Sequence, residues 1–271
     1  FVFLTPFLTY FFKEDRAQMG IQTDIYAWAA FLMVLFSYRM ETAFFRFGSK
    51  EEDRAKAYKT ATTAIVVTTT ALVLIMIALS QWIANQLGYP DHADYVIWFA
   101  FILGFDALTA IPFALLRLES QAKKFAFIKL LNLFVHLGFV WFFLYILPNY
   151  LPQFFDKNMG IGYVFLANLI ASALTFLQLL PTYRYKVVSK DKEIAAAVFD
   201  KALFREMFFY AMPLVLAGLA GIVNEVLDRI LLKALLPGDP KAVLEQLGVY
   251  GSCLSLIHIS EPTRLRRISY A

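Results

Sequence analysis

Apolar positions in this chain neither alternate nor recur once per helical turn; they run on, segment after segment, with few charged interruptions. An opening run, FVFLTPFLTYFF (Phe1 to Phe12), is followed by six longer ones: Ile21 to Phe45, Thr60 to Ala84, Tyr95 to Leu118, Phe125 to Leu147, Gly162 to Pro181 and Met207 to Leu236. At about 1.5 Å per residue each can cross a hydrocarbon core about 30 Å thick, so each predicts a membrane-spanning helix. Short connections rich in breakers separate them, with Gly88, Tyr89, Pro90 and Asp91 after the third helix and Pro148, Asn149 and Pro152 after the fifth. The longest connection, Thr182 to Glu206, contains EIAAAVFDKALFRE and predicts an amphipathic helix along the membrane face with a solvated charged side. No connection is long enough for a folded soluble domain. The pattern predicts an all-α, polytopic transmembrane helix bundle.

Composition sharpens this. Of 271 residues 60% are hydrophobic and 17% charged, where soluble domains have about 25% charged, and the mean hydropathy is +0.61. An ordinary cytosolic enzyme is excluded. Lys and Arg total 25 against 21 Asp and Glu, too even a balance to point to nucleic acid, and Cys253 is the only cysteine. The opening run has neither an initiator Met nor a charged leader, and reads as the exit half of a spanning helix. At the other end LSLIHISEPTRLRRISYA (Leu254 to Ala271) interrupts the apolar pattern with Glu261, Pro262, Arg264, Arg266 and Arg267. It resembles the conceptual translation of a sequencing-library adapter, so residues 252–271 are expected to be foreign to the fold, Cys253 and His258 with them.

Basic residues divide unevenly between alternate loops. Fourteen lie on one side: Arg46, Lys50, Arg54, Lys56 and Lys59, then Arg117, Lys123 and Lys124, then Arg184, Lys186, Lys190, Lys192, Lys201 and Arg205. Only Lys13, Arg16, Lys157 and Lys241 lie on the other. Positive charge stays on the cytoplasmic side, so the loops after helices two, four and six are expected to face the cytoplasm. Trp28, Trp82, Trp98 and Trp141 fall toward the outer ends of their helices, where an amphipathic ring prefers the interface. An internal echo adds organisation: Gln18-Met19-Gly20-Ile21, leading into helix two, returns as Gln246-Leu247-Gly248-Val249 after helix seven, 228 residues on. The interval brackets an even number of spans, as a parallel six-helix repeat requires. The expected domains are an N-terminal six-helix lobe over residues 1–182 with its first helix truncated and a cytoplasmic amphipathic linker over 183–206. The seventh helix and the start of a second lobe follow over 207–251, then the foreign tail.

A charge inside the hydrocarbon costs about 2.5–3.5 kcal/mol on insertion scales, and needs a partner, a cavity or a route to the interface. Asp106 lies at the midpoint of Tyr95 to Leu118, with Thr109 one turn on and Pro112 freeing a backbone carbonyl nearby. Two roles are open to it: a carboxyl bonded to a neighbouring helix for packing, or an ion-coupling group facing an aqueous cavity. Helix two carries Arg39, Glu41 and Arg46 in SYRMETAFFRFG. A spacing of seven puts both arginines on one helix face, which suits phosphate oxygens that guanidinium groups hold in bidentate fashion. Alternatively, Arg46 snorkels to the cytoplasmic surface and Arg39 pairs with an acidic neighbour.

Helix seven carries Asn224, Glu225, Asp228 and Arg229; an intrahelical Glu225 to Arg229 pair would be structural and would leave Asp228 needing a partner. Pro213, Gly218 and Gly221 in the same helix signify close packing or a hinge. On helix five Lys129, Asn132 and His136 read as a snorkelling lysine and hydrogen-bonded bundle residues. The sequence has no metal cluster, glycine-rich phosphate loop, nucleophile elbow or HExxH helix, which counts against hydrolase or kinase chemistry.

The run MGIQTDIYAWAAFLMVLFSYRMETAFFRFGSKEED, the segment FYAMPLVLAGLAGIVNEVLDRILLKALLP and the LGVYG that follows resemble polysaccharide biosynthesis proteins of the flippase superfamily that includes multidrug and toxin extruders. Bacterial O-antigen and capsule flippases are nearer still, and the likeness covers Phe1 to Gly251. The resemblance implies roughly twelve to fourteen helices in two lobes, around a cavity open alternately to the two sides of the bacterial inner membrane. It implies as substrate an undecaprenyl-pyrophosphate-linked oligosaccharide, turned from the inner to the outer leaflet. It places Glu41 and Arg46 beside the cavity and Asp228 and Arg229 in the facing lobe. In the expected mechanism cationic groups, Arg39 foremost, hold the pyrophosphate, while an acid among Asp106, Glu41 and Glu225 exchanges H⁺ or Na⁺. No catalytic residue, metal or cofactor is expected beyond that coupling ion. The expected partners are the lipid-linked oligosaccharide, membrane lipid and polysaccharide assembly proteins, with no nucleic acid. A drug or organic-cation antiporter would favour an acidic cavity without stacked arginines; a glycan polymerase or ligase would need a large outer loop bearing catalytic groups.

Overall fold

Each long apolar segment forms a helix. The computed structural model describes residues 4–13, 15–156, 159–183 and 199–260, and among these the chain is helical without strands. The helices are α1 (Leu4–Phe11), α2 (Ala17–Ser37), α3 (Met40–Phe47), α4 (Glu51–Ala78), α5 (Ser80–Leu87), α6 (Ala93–Leu118), α7 (Ala122–Trp141), α8 (Leu147–Tyr150), α9 (Gly162–Tyr183), α10 (Lys201–Leu235) and α11 (Pro240–Ser260). A π-helical turn, Phe142–Ile146, joins α7 to α8. Among the described residues six stretches are long and apolar enough to span a membrane: Ala17–Phe47, Glu51–Ala78, Ala93–Leu118, Ala122–Tyr150, Gly162–Tyr183 and Lys201–Leu235. They coincide with the six full segments expected from the sequence, and the chain is an all-α polytopic membrane protein.

Several boundaries depart from the apolar pattern for local reasons. Helix two is broken: Tyr38 and Arg39 take φ values of 30° and 54°, a left-handed conformation that bulky L residues avoid. There α2 ends, and α3 restarts with the Thr42 N–H donating to the Arg39 carbonyl at 3.0 Å. Helix three begins early, because Glu51, Glu52 and Asp53 fill its first turn, where acidic groups complement the unpaired N–H groups. It stops at Ala78, before α5, which closes on Gly88 at φ 85° with the Tyr89 N–H donating back to the Ala84 carbonyl.

Lys201 to Glu206, expected in a surface helix, are instead the first turns of α10. Asp200 caps them by accepting the N–H groups of Ala202 (2.8 Å) and Leu203 (3.1 Å). Its other oxygen lies 2.5 Å from Lys56 Nζ, which holds the carboxyl below the usual carboxylate range. Residues 184–198 of the expected linker lie outside the described residues. Ser252 to Ser260, expected to be foreign to the fold, continue α11; 261–271 lie outside the described residues.

The chain divides into two compact units. The larger comprises Phe31–Phe143 and Val164–Gly221, and α6 runs through its middle against α3, α4, α5 and α7. Its core gathers Met40, Ala43 and Phe44 of α3, Ala57, Tyr58, Ala61 and Ile65 of α4, Ile111, Ala114 and Leu115 of α6, and Met207 and Ala211 of α10. The alanines let the helix backbones approach closely. Val67, Leu74, Phe127, Phe134 and Leu216 stand exposed, as lipid-facing residues of a bundle do. Pro112 has no N–H to offer the Leu108 carbonyl one turn back, and the Tyr183 hydroxyl donates to it at 2.6 Å.

The smaller unit comprises Phe1–Ala30, Leu144–Tyr163 and Ile222–Ala271. In it α2 meets α11 through the two copies of the echoed motif. A Cβ on Gly20 would overlap the Leu244 carbonyl, and one on Gly248 would stand 2.7 Å from the Arg16 carbonyl oxygen and 2.8 Å from the Gly20 nitrogen. Only glycine permits that approach. Gln18, from the same motif, accepts the Ile161 N–H at 2.9 Å.

Candidate functional site

The break in helix two positions the residue of most chemical interest. Arg39 is the left-handed cap of α3, half-buried, eight residues and therefore about 12 Å from the Phe47 end of its span. Its guanidinium lies against the bare Cα of Gly218 in α10: a Cβ there would be 2.8 Å from both Nε and Nη2. No ion pair reaches Arg39 among the described residues. Glu41, the acid that could have neutralised it, is bridged to Arg117 of α6 at 3.2 Å, and Arg117 also lies over the Phe45 ring at 4.8 Å.

Arg46 is exposed and stacks on the Tyr210 ring of α10 at 4.6 Å. Arg39 stands at the left-handed turn that precedes α3, and Arg46 lies within α3. Both meet α10, at Gly218 and Tyr210, eight residues or about 12 Å apart.

Asp106 is half-buried in α6 of the same unit. Its Oδ1 accepts the Ser172 hydroxyl of α9 at 2.9 Å, while the Thr109 hydroxyl returns to the Asp106 carbonyl at 3.0 Å. Three residues beyond Ser172, Thr175 accepts Asn132 Nδ2 of α7 at 2.9 Å, and the Lys129 ammonium lies over the Phe113 ring at 4.3 Å. A polar seam thus runs between α6, α7 and α9 inside otherwise apolar helices. It joins two residues singled out from sequence, Asp106 and Asn132, to two ordinary-looking hydroxyls, Ser172 and Thr175.

In the smaller unit Asp228 accepts the Tyr250 hydroxyl of α11 at 2.5 Å and the Arg229 N–H at 2.8 Å. The intrahelical Glu225 to Arg229 pair does not form among the described residues; Glu225 is exposed and Arg229 half-buried. A contact that sequence reasoning missed lies nearby in the same unit. Asp24 of α2 is 1% exposed, and its Oδ2 lies 2.5 Å from Lys233 Nζ of α10. The available signal was two opposite charges, one in each of two apolar runs, neither with an opposite charge three or four residues away in the sequence.

A half-buried cation and hydroxyl-bonded or ion-paired acids thus lie within otherwise apolar helices. Among the described residues no three His, Cys, Asp or Glu side chains converge as metal ligands would. Comparison with curated proteins and with solved structures returned no match. A family model described as polysaccharide biosynthesis protein matches residues 6–256, a stretch that contains all six membrane-capable helices, Arg39, Asp106 and both copies of the echoed motif. The chain therefore belongs to the polysaccharide biosynthesis protein family, as a multi-pass membrane protein of polysaccharide synthesis or export.

Proposed function

We propose that this protein moves an undecaprenyl-pyrophosphate-linked oligosaccharide from the inner to the outer leaflet of the bacterial inner membrane by alternating access. The observation that supports this is Arg39: a half-buried guanidinium at a break in a spanning helix, with the acid nearest in sequence, Glu41, taken by Arg117. An uncompensated cation in such a place is costly, and a pyrophosphate supplies two or more oxygens in the geometry a guanidinium fork accepts. The strained turn at Tyr38 and Arg39 is maintained by the burial of Met40, Ala43 and Phe44 immediately after it, as expected where strain serves positioning. Arg46, nearer the end of the same span, is a second cation, met before Arg39 by an anion entering from the cytoplasm. An exporter of organic cations has no use for an uncompensated guanidinium toward its cargo.

On this reading the lipid tail stays in the bilayer, and Glu41 holds Arg117 away from the anion. Asp228 and Arg229 contribute from the second lobe. Asp106, or Glu225, takes up and releases H⁺ or Na⁺; the Ser172 hydroxyl can donate to a carboxylate and accept from a carboxylic acid, so it suits Asp106 in either form. Polysaccharide assembly proteins are the natural partners of such an exporter.

The test is surface glycan at equal membrane abundance in cells that depend on this protein. Arg39→Ala is expected to abolish export and Arg39→Lys to restore part of it, since one ammonium cannot reproduce the planar fork. Asp106→Asn is expected to leave substrate binding intact and to remove the dependence on the ion gradient. Normal export by Arg39→Ala overturns the proposal.

A further inference from the structure

Within the smaller unit, the Asp24 to Lys233 pair is left unused by the mechanism above. Asp24 lies seven residues into α2 and is 1% exposed, whereas Lys233, two residues before the end of α10, keeps 27% of its side chain exposed. The long lysine stem carries an ammonium from the water side to a carboxylate that has no route to water of its own. By the distribution of basic residues, both ends lie toward the outer face.

A bare carboxylate in hydrocarbon is too costly to persist, so Asp24 requires a cation at every stage of any movement. In this structure Lys233 is that cation. Any motion that parts the end of α10 from α2 removes it. We propose that Asp24 is a monovalent-cation site, occupied by the Lys233 ammonium when the two helices are together and by a proton or Na⁺ when they separate. One positive charge leaves and one enters, so the buried acid is neutralised throughout. Of the other charged groups around these helices, Asp228 of α10 is held by Tyr250, Glu225 and Arg229 also lie on α10, Lys241 and Glu245 lie on α11, and Arg16 and Asp15, which accepts from Gln18, directly precede α2. As a step in export the exchange rests on the proposed function; cation binding at Asp24 does not.

The experiment uses the purified chain in nanodiscs, with melting temperature as readout. Lys233→Met removes the resident cation. Its Tm is expected to rise by at least about 2–4 °C when the pH is lowered from about 8 to about 6, if a proton takes the site, or when choline is replaced by Na⁺, if Na⁺ does. Asp24→Asn with Lys233→Met removes the site together with its occupant and is expected to respond to neither. A Lys233→Met protein that matches the double variant in both titrations overturns the proposal. So does one that never folds while the double variant does, since no cation then replaces the lysine, and so does failure of both, which makes the pair a requirement of the fold alone. Surface glycan is read separately on the same variants: a cation response with unchanged export leaves the site standing and removes it from the export cycle.

Discussion

Gly20 and Gly248 pack backbone to backbone, so closely that a Cβ on Gly248 would stand 2.8 Å from the Gly20 nitrogen. They are the corresponding glycines of two copies of one short motif. The contacts around them are reciprocal: Gly20 meets Leu244, four residues before Gly248, and Gly248 meets Arg16, four residues before Gly20. Gly251 meets Thr23, its own counterpart at the same offset of 228 residues. Residues that touch their own equivalents are what a local two-fold relation between α2 and α11 produces.

Because these neighbours are backbone, they cannot move aside for a methyl group. Gly20→Ala and Gly248→Ala are each expected to lower the melting temperature and membrane yield. Gly221→Ala and Gly138→Ala, whose added Cβ meets nothing within 4 Å, are expected to be neutral or to gain up to about 1 kcal/mol from helix propensity. Gly221→Ala also decides the hinge: wild-type export closes that idea, and lost export at full stability keeps it.

The Pro112, Leu108 and Tyr183 arrangement gives a double-mutant cycle. Tyr183→Phe strands the Leu108 carbonyl and is expected to cost about 0.6–1.7 kcal/mol, the range of hydrogen bonds measured between membrane helices. Pro112→Ala restores a backbone N–H to that carbonyl, so in the Pro112→Ala background the cost of Tyr183→Phe is expected to fall by more than half. Equal costs in both backgrounds, measured by unfolding in bicelles, would show that the hydroxyl does not compensate for the proline.

Orientation is open to labelling. A cysteine at Glu52, exposed at the start of α4, is expected to react with an impermeant maleimide only from the cytoplasmic side, and one at Asp91, exposed after α5, only from outside. Reaction of both from the same side would remove the orientation and, with it, the assignment of the Arg46 end as the loading side.

Much of the fold was legible because about 20 apolar residues in a row admit one structure in a membrane. The break at Tyr38 was not, since SYRMET contains neither Gly nor Pro. Two residues poorly suited to left-handed geometry are held there by Met40, Ala43 and Phe44 entering the core, a tertiary effect with no local signature. Arg39, Glu41 and Asp106 were visible as charges in apolar runs, but their partners were not. Arg117 looked like a loop cation, and Ser172 is an unremarkable serine in an apolar run. Asp24 and Lys233 meet across 209 residues, a separation that no periodicity relates.

Gly218 and Arg39 are coupled by space, and that coupling allows the site to be disturbed without removing a charge. The Cβ of Gly218→Ala would meet the far end of a flexible side chain, not backbone, so the variant is expected to fold with its guanidinium turned aside. If Arg39 holds the pyrophosphate, the displacement forfeits about 1.5–3 kcal/mol of charge-assisted bonding, a loss of roughly 10- to 100-fold in substrate affinity. Gly221→Ala, nearly one turn away on the same helix with open space at its Cβ, is the control that separates this effect from α10 packing. Arg39→Ala combined with Gly218→Ala is expected to be no worse than Arg39→Ala alone, because both act on one contact. Additive losses would give Gly218 a separate role, and wild-type affinity in Gly218→Ala at normal abundance would detach α10 from the anion site.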